Sequence, residues 1–318
     1  MSQDKQKRIG ILVGQESDWP NAFITAVNNT NQPVTAEFVK IGGTYMNETC
    51  PYDLIIDRVS HEIPYYRSYL KFAALQGCIT INNPLIWSAD SKFMSITVAN
   101  QLGFNSPRTV VLPNKEVEEE NKPDSFRNLV YPMDWDGIID YVGVPAIFKD
   151  VSVGGRRLVY RVHSVDELIQ YFDESGTRTM ILQQIVESDV HIHAFVIGQE
   201  KVQLLRYSLT DGRYLPELID TESEKGQMLT QGALKLTQTF GYDINMVEFV
   251  LHGDTPYVIN STNPAPMIDK KLMNEEQFNW CLQETVALAL DRLQRPSPPR
   301  GLLRDLLCSD ATDDEATA

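Results

Sequence analysis

Residues 244–263 read INMVEFVLHGDTPYVINSTN, and this stretch decides the architecture of the second half of the chain. Two runs that are typical of strands, Ile244–Leu251 and Thr255–Ile259, flank the turn sequence HGD at 252–254. A hairpin of this kind pairs its two strands antiparallel. An antiparallel sheet is therefore predicted around these residues.

The beginning of the chain predicts a different kind of sheet. Arg8–Gly14 (RIGILVG) is a short apolar run ended by glycine, as is typical of a buried parallel strand. Helix-spaced apolar positions follow in Glu16–Asn29, and strand and helix patterns alternate as far as Ile81. Because parallel strands need crossover connections, this alternation predicts an α/β domain with a parallel sheet over residues 1–87.

Further strand patterns joined by hairpins follow residue 88, so the predicted class is α/β in the first domain and α+β after it. Two long amphipathic helices, Glu222–Thr239 and Glu275–Arg292, are expected to cover the antiparallel sheets. Predicted units span 88–186 and 187–295. The acidic, apolar-poor end at 296–318 is expected to be a disordered tail.

Charge and cysteine content exclude several classes of function. The 318 residues include 28 Lys and Arg against 43 Asp and Glu, for a formal net charge of −15. This balance disfavours a nucleic-acid partner. No apolar run reaches the roughly 18 residues of a membrane helix, and no signal peptide is evident, so no membrane partner is expected. Four scattered cysteines indicate free thiols and a cytoplasmic location.

Two segments of the central region suggest phosphate and nucleotide contacts. Lys149 ends the apolar strand PAIFK, where an unpaired ammonium is costly, and glycines follow that let backbone N–H groups approach phosphate. An ordinary strand-end lysine explains the same pattern. The strand Met180–Val186 (MILQQIV) could offer backbone groups to an adenine edge, but an edge strand with a polar turn explains it too.

The hairpin itself carries the third feature. Glu248 lies in an apolar strand and faces the strand that ends in Asn260. Burial of its carboxylate costs free energy unless the carboxylate is paired or binds a metal. Together with the amides of Asn260 and Asn263, it offers the oxygen ligands that Mg²⁺ prefers beside phosphate. A glutamate bonded to backbone is the alternative. His191 and His193 share one face of a strand and either line the sheet or serve the active site.

The order of these features resembles the ATP-grasp superfamily, in particular its glutathione synthetase and ribosomal-modification ligase branch. A lysine on a helix (Lys92) and a lysine before a glycine-containing loop (Lys149) precede the QQ strand and the Glu-hairpin-Asn-x-x-Asn-Pro ending. The resemblance spans Arg8 to about Arg292. It implies a parallel α/β pre-ATP-grasp domain at 1–87, followed by a central lid subdomain at 88–186 and a C-terminal subdomain that clasp a nucleotide.

The resemblance also implies ATP and Mg²⁺ as cofactors and a set of site residues. Catalytic roles are implied for Arg206, near the transferred phosphate, and for Lys149. Nucleotide contacts are implied for Lys92, Lys149, Gly154, Gly155, Gln183, Gln184, Ile185, Val186 and Asp189. Metal ligation is implied for Glu248, Asn260 and Asn263.

The implied activity is an ATP-dependent ligase that phosphorylates a carboxylate and joins the acyl phosphate to an amine. Its substrates would be small molecules or peptides, and a homodimer is expected by analogy alone. Asn260 departs from the carboxylate usual at its position, Thr262 from an asparagine, and His193 from an arginine. Two alternatives therefore stay open: an ATP-binding regulatory protein without turnover, and a structural protein without a nucleotide site.

Overall fold

The computed structural model describes residues 6–87, 91–116, 128–130, 132–152 and 159–295. The first domain is a parallel sheet in the order β2-β1-β3-β4. Its elements in chain order are β1 (Lys7–Leu12), α1 (Asp18–Asn28), β2 (Val34–Phe38), β3 (Leu54–Asp57), α2 (Pro64–Leu75) and β4 (Ile79–Ile81). All four residues of β3 are buried. The predicted parallel sheet with covered faces is confirmed.

Two helices, α3 (Pro84–Trp87) and α4 (Lys92–Gln101), lead into a second sheet that is antiparallel, in the order β5-β8-β6-β7. Its elements are β5 (Thr109–Leu112), α5 (Trp135–Val142), β6 (Ala146–Asp150), β7 (Val159–Val162), α6 (Val165–Asp173) and β8 (Met180–Gln184). Side chains that accept from backbone N–H groups begin both of its helices, Asp134 for α5 and Ser164 for α6.

The third sheet has five antiparallel strands in the order β11-β10-β9-β12-β13. Its elements are β9 (His191–Ile197), β10 (Lys201–Ser208), β11 (Arg213–Leu218), α7 (Glu224–Phe240), β12 (Ile244–His252), β13 (Thr255–Asn260) and α8 (Glu275–Gln294). Gly241 ends α7 with a left-handed φ of 71°. Asn274 and Gln277 form a capping box that begins α8.

Both faces of the third sheet are buried, against different partners. Phe195 and Ile244 point toward the first domain and α8, in one core with Ile9 and Phe278. Residues one position along the strands, such as Ile192, point to the opposite face and form a separate core with helix α7. We call these the α8 face and the α7 face.

Some boundaries differ from the sequence expectation. Strand β11 was not predicted, and it lies at the edge of its sheet and contains Pro216, which a central strand would not tolerate. A helix is expected from residue 88. Among the described residues it begins at Lys92, with Ser91 as its N-cap. The predicted tail, 296–318, lies outside the described residues.

Two expectations about composition can be compared with the described ranges. Cys50, Cys78 and Cys281 are free thiols there, as expected, and Cys308 lies outside those ranges. In the same ranges, no helix combines the length and apolar composition that crossing a bilayer requires.

Candidate functional site

The hairpin of β12 and β13 places an acid beside an amide. Glu248 pairs in register with Asn260 on one side and with His193 of β9 on the other. The side-chain amide of Asn260 donates to Glu248 Oε1 at 3.0 Å. The predicted facing of Glu248 and Asn260 is therefore confirmed, and this hydrogen-bond partner of the carboxylate is a side chain rather than backbone.

Two lysines converge near the end of β6. Lys92, the first residue of α4, donates from Nζ to the carbonyl oxygens of Asp150 at 3.1 Å and Ser152 at 2.7 Å. Lys149 donates from Nζ to Gln183 Oε1 at 2.8 Å. Helix α4 and the second sheet thus bring the two ammonium groups to one end of β6.

The pKa values of the lysines show that both groups share one electrostatic environment with the hairpin acid. Burial and, to a smaller extent, the nearby charge of Lys92 lower the pKa of Lys149 to about 8, and Glu248 acts in the opposite direction. Burial also lowers the pKa of Lys92, which Asp150 and Glu248 raise. Residues from the first helix of the second unit, from its sheet and from the third sheet therefore meet at one place.

The proposed adenine segment joins the second sheet to the third. Gln183 is buried in β8, where its amide donates to Thr109 Oγ1 at 3.1 Å while its oxygen accepts from Lys149. Gln184 Oε1 accepts from the Arg108 backbone N–H at 3.2 Å. Ile185 and Val186 are half-buried and follow the end of the strand, whereas Asp189 is exposed.

Arg206 is not brought together with these groups. It pairs with Ile192 in the ladder of β9 and β10, whereas the adjacent Leu205 pairs with His193. Since side chains alternate across a strand, Arg206 belongs to the α7 face and Glu248 to the α8 face. Arg206 therefore lies on the sheet face opposite Glu248, and its expected position beside the transferred phosphate stays a prediction. Gly154 and Gly155 lie outside the described residues.

Several oxygen atoms around the hairpin fit the Mg²⁺ that the resemblance implies. Glu248 keeps Oε2 free of the Asn260 amide, and Asn260 Oδ1 accepts only long bonds, 3.4 Å each, from Ser95 and from the backbone of Thr262. Thr262 Oγ1 is buried and has no hydrogen-bond partner among the described atoms. These oxygens fit a magnesium ion that takes most of its ligands from phosphates and water.

The backbone of the remaining predicted ligand, Asn263, is hydrogen-bonded to two residues of β12. Its backbone N–H donates to Asn245 Oδ1 at 2.8 Å, and its carbonyl accepts from the Met246 N–H at 3.0 Å. Within the described residues, no cluster of three or more His, Cys, Asp or Glu side chains could hold a metal by itself. A metal here would therefore depend on its nucleotide.

A group of aromatic residues borders Glu248, made of His193, which the sequence analysis named, and two tyrosines that it did not name. His193 Nδ1 lies 2.9 Å from the Tyr214 hydroxyl, and its ring stacks on Tyr207 with centroids 4.8 Å apart. His193 Nε2 lies 4.0 Å from Glu248 Oε2. Burial lowers the pKa of His193, and Glu248 raises it. Tyr214 is not among the predicted site residues because its strand, β11, was not predicted.

Comparison with solved structures matches this architecture along almost the whole chain. D-alanine–D-alanine ligase from Bacillus anthracis, complexed with ATP, superposes with a TM-score of 0.63 at 14% identity, over 92% of this chain and 100% of that one. A RimK domain protein ATP-grasp from Sphaerobacter thermophilus gives 0.64 at 14%, over 90% and 99%. The chain has the ATP-grasp fold.

A third similar structure is a macrocyclase. The macrocyclase MdnC from Microcystis aeruginosa, bound with the precursor peptide MdnA, superposes with a TM-score of 0.58 at 12% identity, over 89% of this chain and 99% of that one. No family model and no curated protein sequence matches the chain. At these identities the likeness establishes the ATP-grasp fold, and the branch expected from the sequence is not settled by it.

Proposed function

We propose that this protein is an ATP-dependent ligase that activates a carboxylate by phosphorylation and joins it to an amine. The observation that carries the proposal is the convergence of Lys92, Lys149 and Glu248 between the second and third sheets. The three groups come from distant parts of the chain and meet in a fold shared with an ATP complex.

The two ammonium groups favour a polyanionic ligand. Their described hydrogen-bond acceptors are neutral, the carbonyls of Asp150 and Ser152 and the amide of Gln183. A half-buried cation without an anionic hydrogen-bond partner is costly, and two adjacent cations repel each other. The triphosphate of ATP would supply the missing negative charge.

The chemistry follows from the weakness of a carboxylate as an electrophile. A substrate carboxylate oxygen attacks the γ-phosphorus of ATP, the bond to the bridging oxygen breaks, and ADP leaves. The amine then attacks the acyl carbon, a proton leaves the nitrogen, and inorganic phosphate departs. Lys92 and Lys149 hold and neutralise the phosphates, so the protein contributes mainly positioning and charge.

Mg²⁺, when bound, would offset phosphate charge and help to align the γ-phosphate. Glu248 would hold it through Oε2, with Asn260 Oδ1 as a neutral second ligand. One carboxylate in place of two leaves the metal more dependent on the nucleotide's own oxygens.

The substrate is proposed as a small-molecule or peptide carboxylate together with an amine. The similar structures include a D-alanine–D-alanine ligase and the ligase PsnB, the latter complexed with a minimal precursor, Mg and ADP. They support both substrate sizes.

A second candidate function is nucleotide binding without turnover. The Asn260 amide donates to Glu248, so the carboxylate is already partly engaged, and Arg206 belongs to the opposite sheet face. These two observations favour a protein that holds ATP but transfers its phosphate slowly or not at all.

One experiment separates the candidates. Purified protein is incubated with Mg·ATP and a mixture of amino acids, and ADP release is followed beside nucleotide affinity. ADP release that depends on the amino acids supports the ligase. Tight ATP binding without ADP supports the binding protein. If ATP neither binds nor raises the melting temperature, both proposals fail, since a ligand of the native state must stabilise it.

A further inference from the structure

The histidine beside the hairpin acid is held by aromatic rings. The ring of His193 stacks on Tyr207 with an interplanar angle of 13° and meets Tyr214 edge-on at 77°. Its side chain is 12% exposed. The direction of its second nitrogen, Nε2, is therefore fixed by packing, and Nε2 points to Glu248.

The hydrogen bond that His193 makes through Nδ1 leaves its other nitrogen, Nε2, available to a second partner. The Tyr214 hydroxyl lies 2.9 Å from His193 Nδ1 and 3.6 Å from Met246 Sδ, so it can accept from Nδ1–H while it donates to the thioether. In the neutral tautomer that is protonated at Nδ1, Nε2 keeps a lone pair that a metal ion can use. That lone pair faces Glu248 Oε2 at 4.0 Å, too far for a hydrogen bond.

We propose that His193 Nε2 and Glu248 Oε2 together bind a divalent transition-metal ion, with phosphate oxygens of the bound nucleotide completing its coordination. The nucleotide part rests on the proposed ATP binding. A nitrogen ligand distinguishes such a site from one made of oxygens alone, because imidazole favours transition metals over Mg²⁺.

Three features of the geometry support this assignment. Two tetrahedral ligands, each about 2.1 Å from a metal, lie about 3.4 Å apart, so the observed 4.0 Å needs only a small side-chain movement. The Asn260 amide holds the other carboxylate oxygen and leaves Oε2 facing His193. Tyr214 lies 2.9 Å from His193 Nδ1, where it would take the role that oxygen acceptors usually have behind a metal-binding histidine.

The test measures, by isothermal titration, how tightly the protein binds Mn²⁺·AMPPNP, the Mn²⁺ complex of a non-hydrolysable ATP analogue, and how tightly it binds Mg·AMPPNP. The wild type is compared with His193→Phe, which keeps a ring stacked on Tyr207, and with His191→Phe as the matched control on the same strand. We expect His193→Phe to weaken Mn²⁺ binding at least tenfold while Mg·AMPPNP affinity changes less than threefold. His191→Phe should leave both affinities within threefold of the wild type.

Tyr214→Phe gives a second variant that keeps the packing and removes only the hydroxyl. It should weaken Mn²⁺ binding by a smaller factor than His193→Phe, without loss of Mg·AMPPNP. Equal Mn²⁺ affinity in the wild type and His193→Phe would overturn the proposal, as would equal losses of Mn²⁺ and Mg²⁺ nucleotide.

These outcomes are distinguishable from failure of the ligase itself. Mn²⁺ bound through His193 without ADP release supports the metal site and contradicts the ligase. ADP release that is insensitive to His193→Phe, with unchanged Mn²⁺ binding, supports the ligase and overturns the metal site. If no AMPPNP binds with either metal, the metal site is overturned together with the nucleotide proposal.

Discussion

Replacement of Lys149 by methionine tests the nucleotide site most directly. A charge-assisted hydrogen bond to phosphate contributes about 1.5–3 kcal/mol, so we expect ATP affinity to fall about 10- to 100-fold. The loss of the buried charge should by itself stabilise the folded protein. The pKa of Lys149 falls from 10.5 to about 8, so keeping it charged at neutral pH costs the folded protein at most about 3 kcal/mol, with solvent screening reducing this value.

The sign of that stability effect follows from proton linkage. A folded pKa below the unfolded one means that the penalty is full below pH 8 and disappears as the pH rises toward 10.5. Lys149→Met removes this penalty. It also leaves Gln183 Oε1 without its hydrogen-bond donor, which costs about 1–3 kcal/mol. The two effects nearly cancel, so the melting temperature at pH 7 should change by only a few degrees.

Isothermal titration with ATP and thermal unfolding measure the two effects on the same samples. Lys201→Met, at an exposed position of β10, is the control and should change neither quantity. A Lys149→Met protein that binds ATP as tightly as the wild type would refute the placement of this lysine at the phosphates. A collapse of stability would show that its role is structural instead.

Four further predictions concern Lys149, the hairpin residues and a buried asparagine. Because the pKa of Lys149 lies at about 8, ATP affinity should fall about tenfold between pH 7 and pH 9, and Lys149→Met should flatten this dependence in titrations at both pH values. Glu248→Gln should abolish Mg-dependent ADP release while ATP still binds, and full activity would exclude it as a ligand. Asn260→Asp should increase the stimulation of ADP release by Mg²⁺, and a weaker metal response would show that this position does not face the metal. Asn82→Ala removes a buried side chain with four hydrogen bonds to residues 243, 244 and 264, and urea unfolding should show a loss of about 3 kcal/mol, whereas a loss below about 1 kcal/mol would refute the importance of this network.

The sequence predicted those features that depend on local pattern. Alternating strand and helix signals gave the parallel sheet, and the apolar runs around HGD gave the hairpin with Glu248 opposite Asn260. Each is encoded within about 30 residues, where periodicity and turn chemistry are informative. The pairing of Lys92 with the end of β6 followed only from the resemblance, since no local pattern reports a contact between such distant residues.

The sheet face on which Arg206 lies could not be predicted from the pattern of apolar and polar residues. In β10, both neighbours that would set the register, Leu204 and Leu205, are buried, because each face of the sheet packs against a different core. Without an alternation of apolar and polar positions, nothing in the sequence assigns a residue to one face. Gln183 is a similar case, since its side-chain contact with Lys149 joins two strands in a way that composition does not reveal.

The proposed nucleotide binding and turnover draw on different parts of this site. The lysines proposed to contact the phosphates lie on α4 and β6, whereas the hairpin acid belongs to the third sheet, accepts from Asn260 and is bordered by His193. Buried contacts hold the hairpin end in place, because Ser95 of α4 accepts from the Ser261 backbone and Asn245 donates to the Ser261 carbonyl. Helix α4 therefore carries both a lysine proposed to bind phosphate and a support of the hairpin proposed to bind the metal. A change that moves α4 should impair binding and turnover together, whereas changes confined to the hairpin should separate them, and this separation distinguishes an active ligase from a protein that only holds ATP.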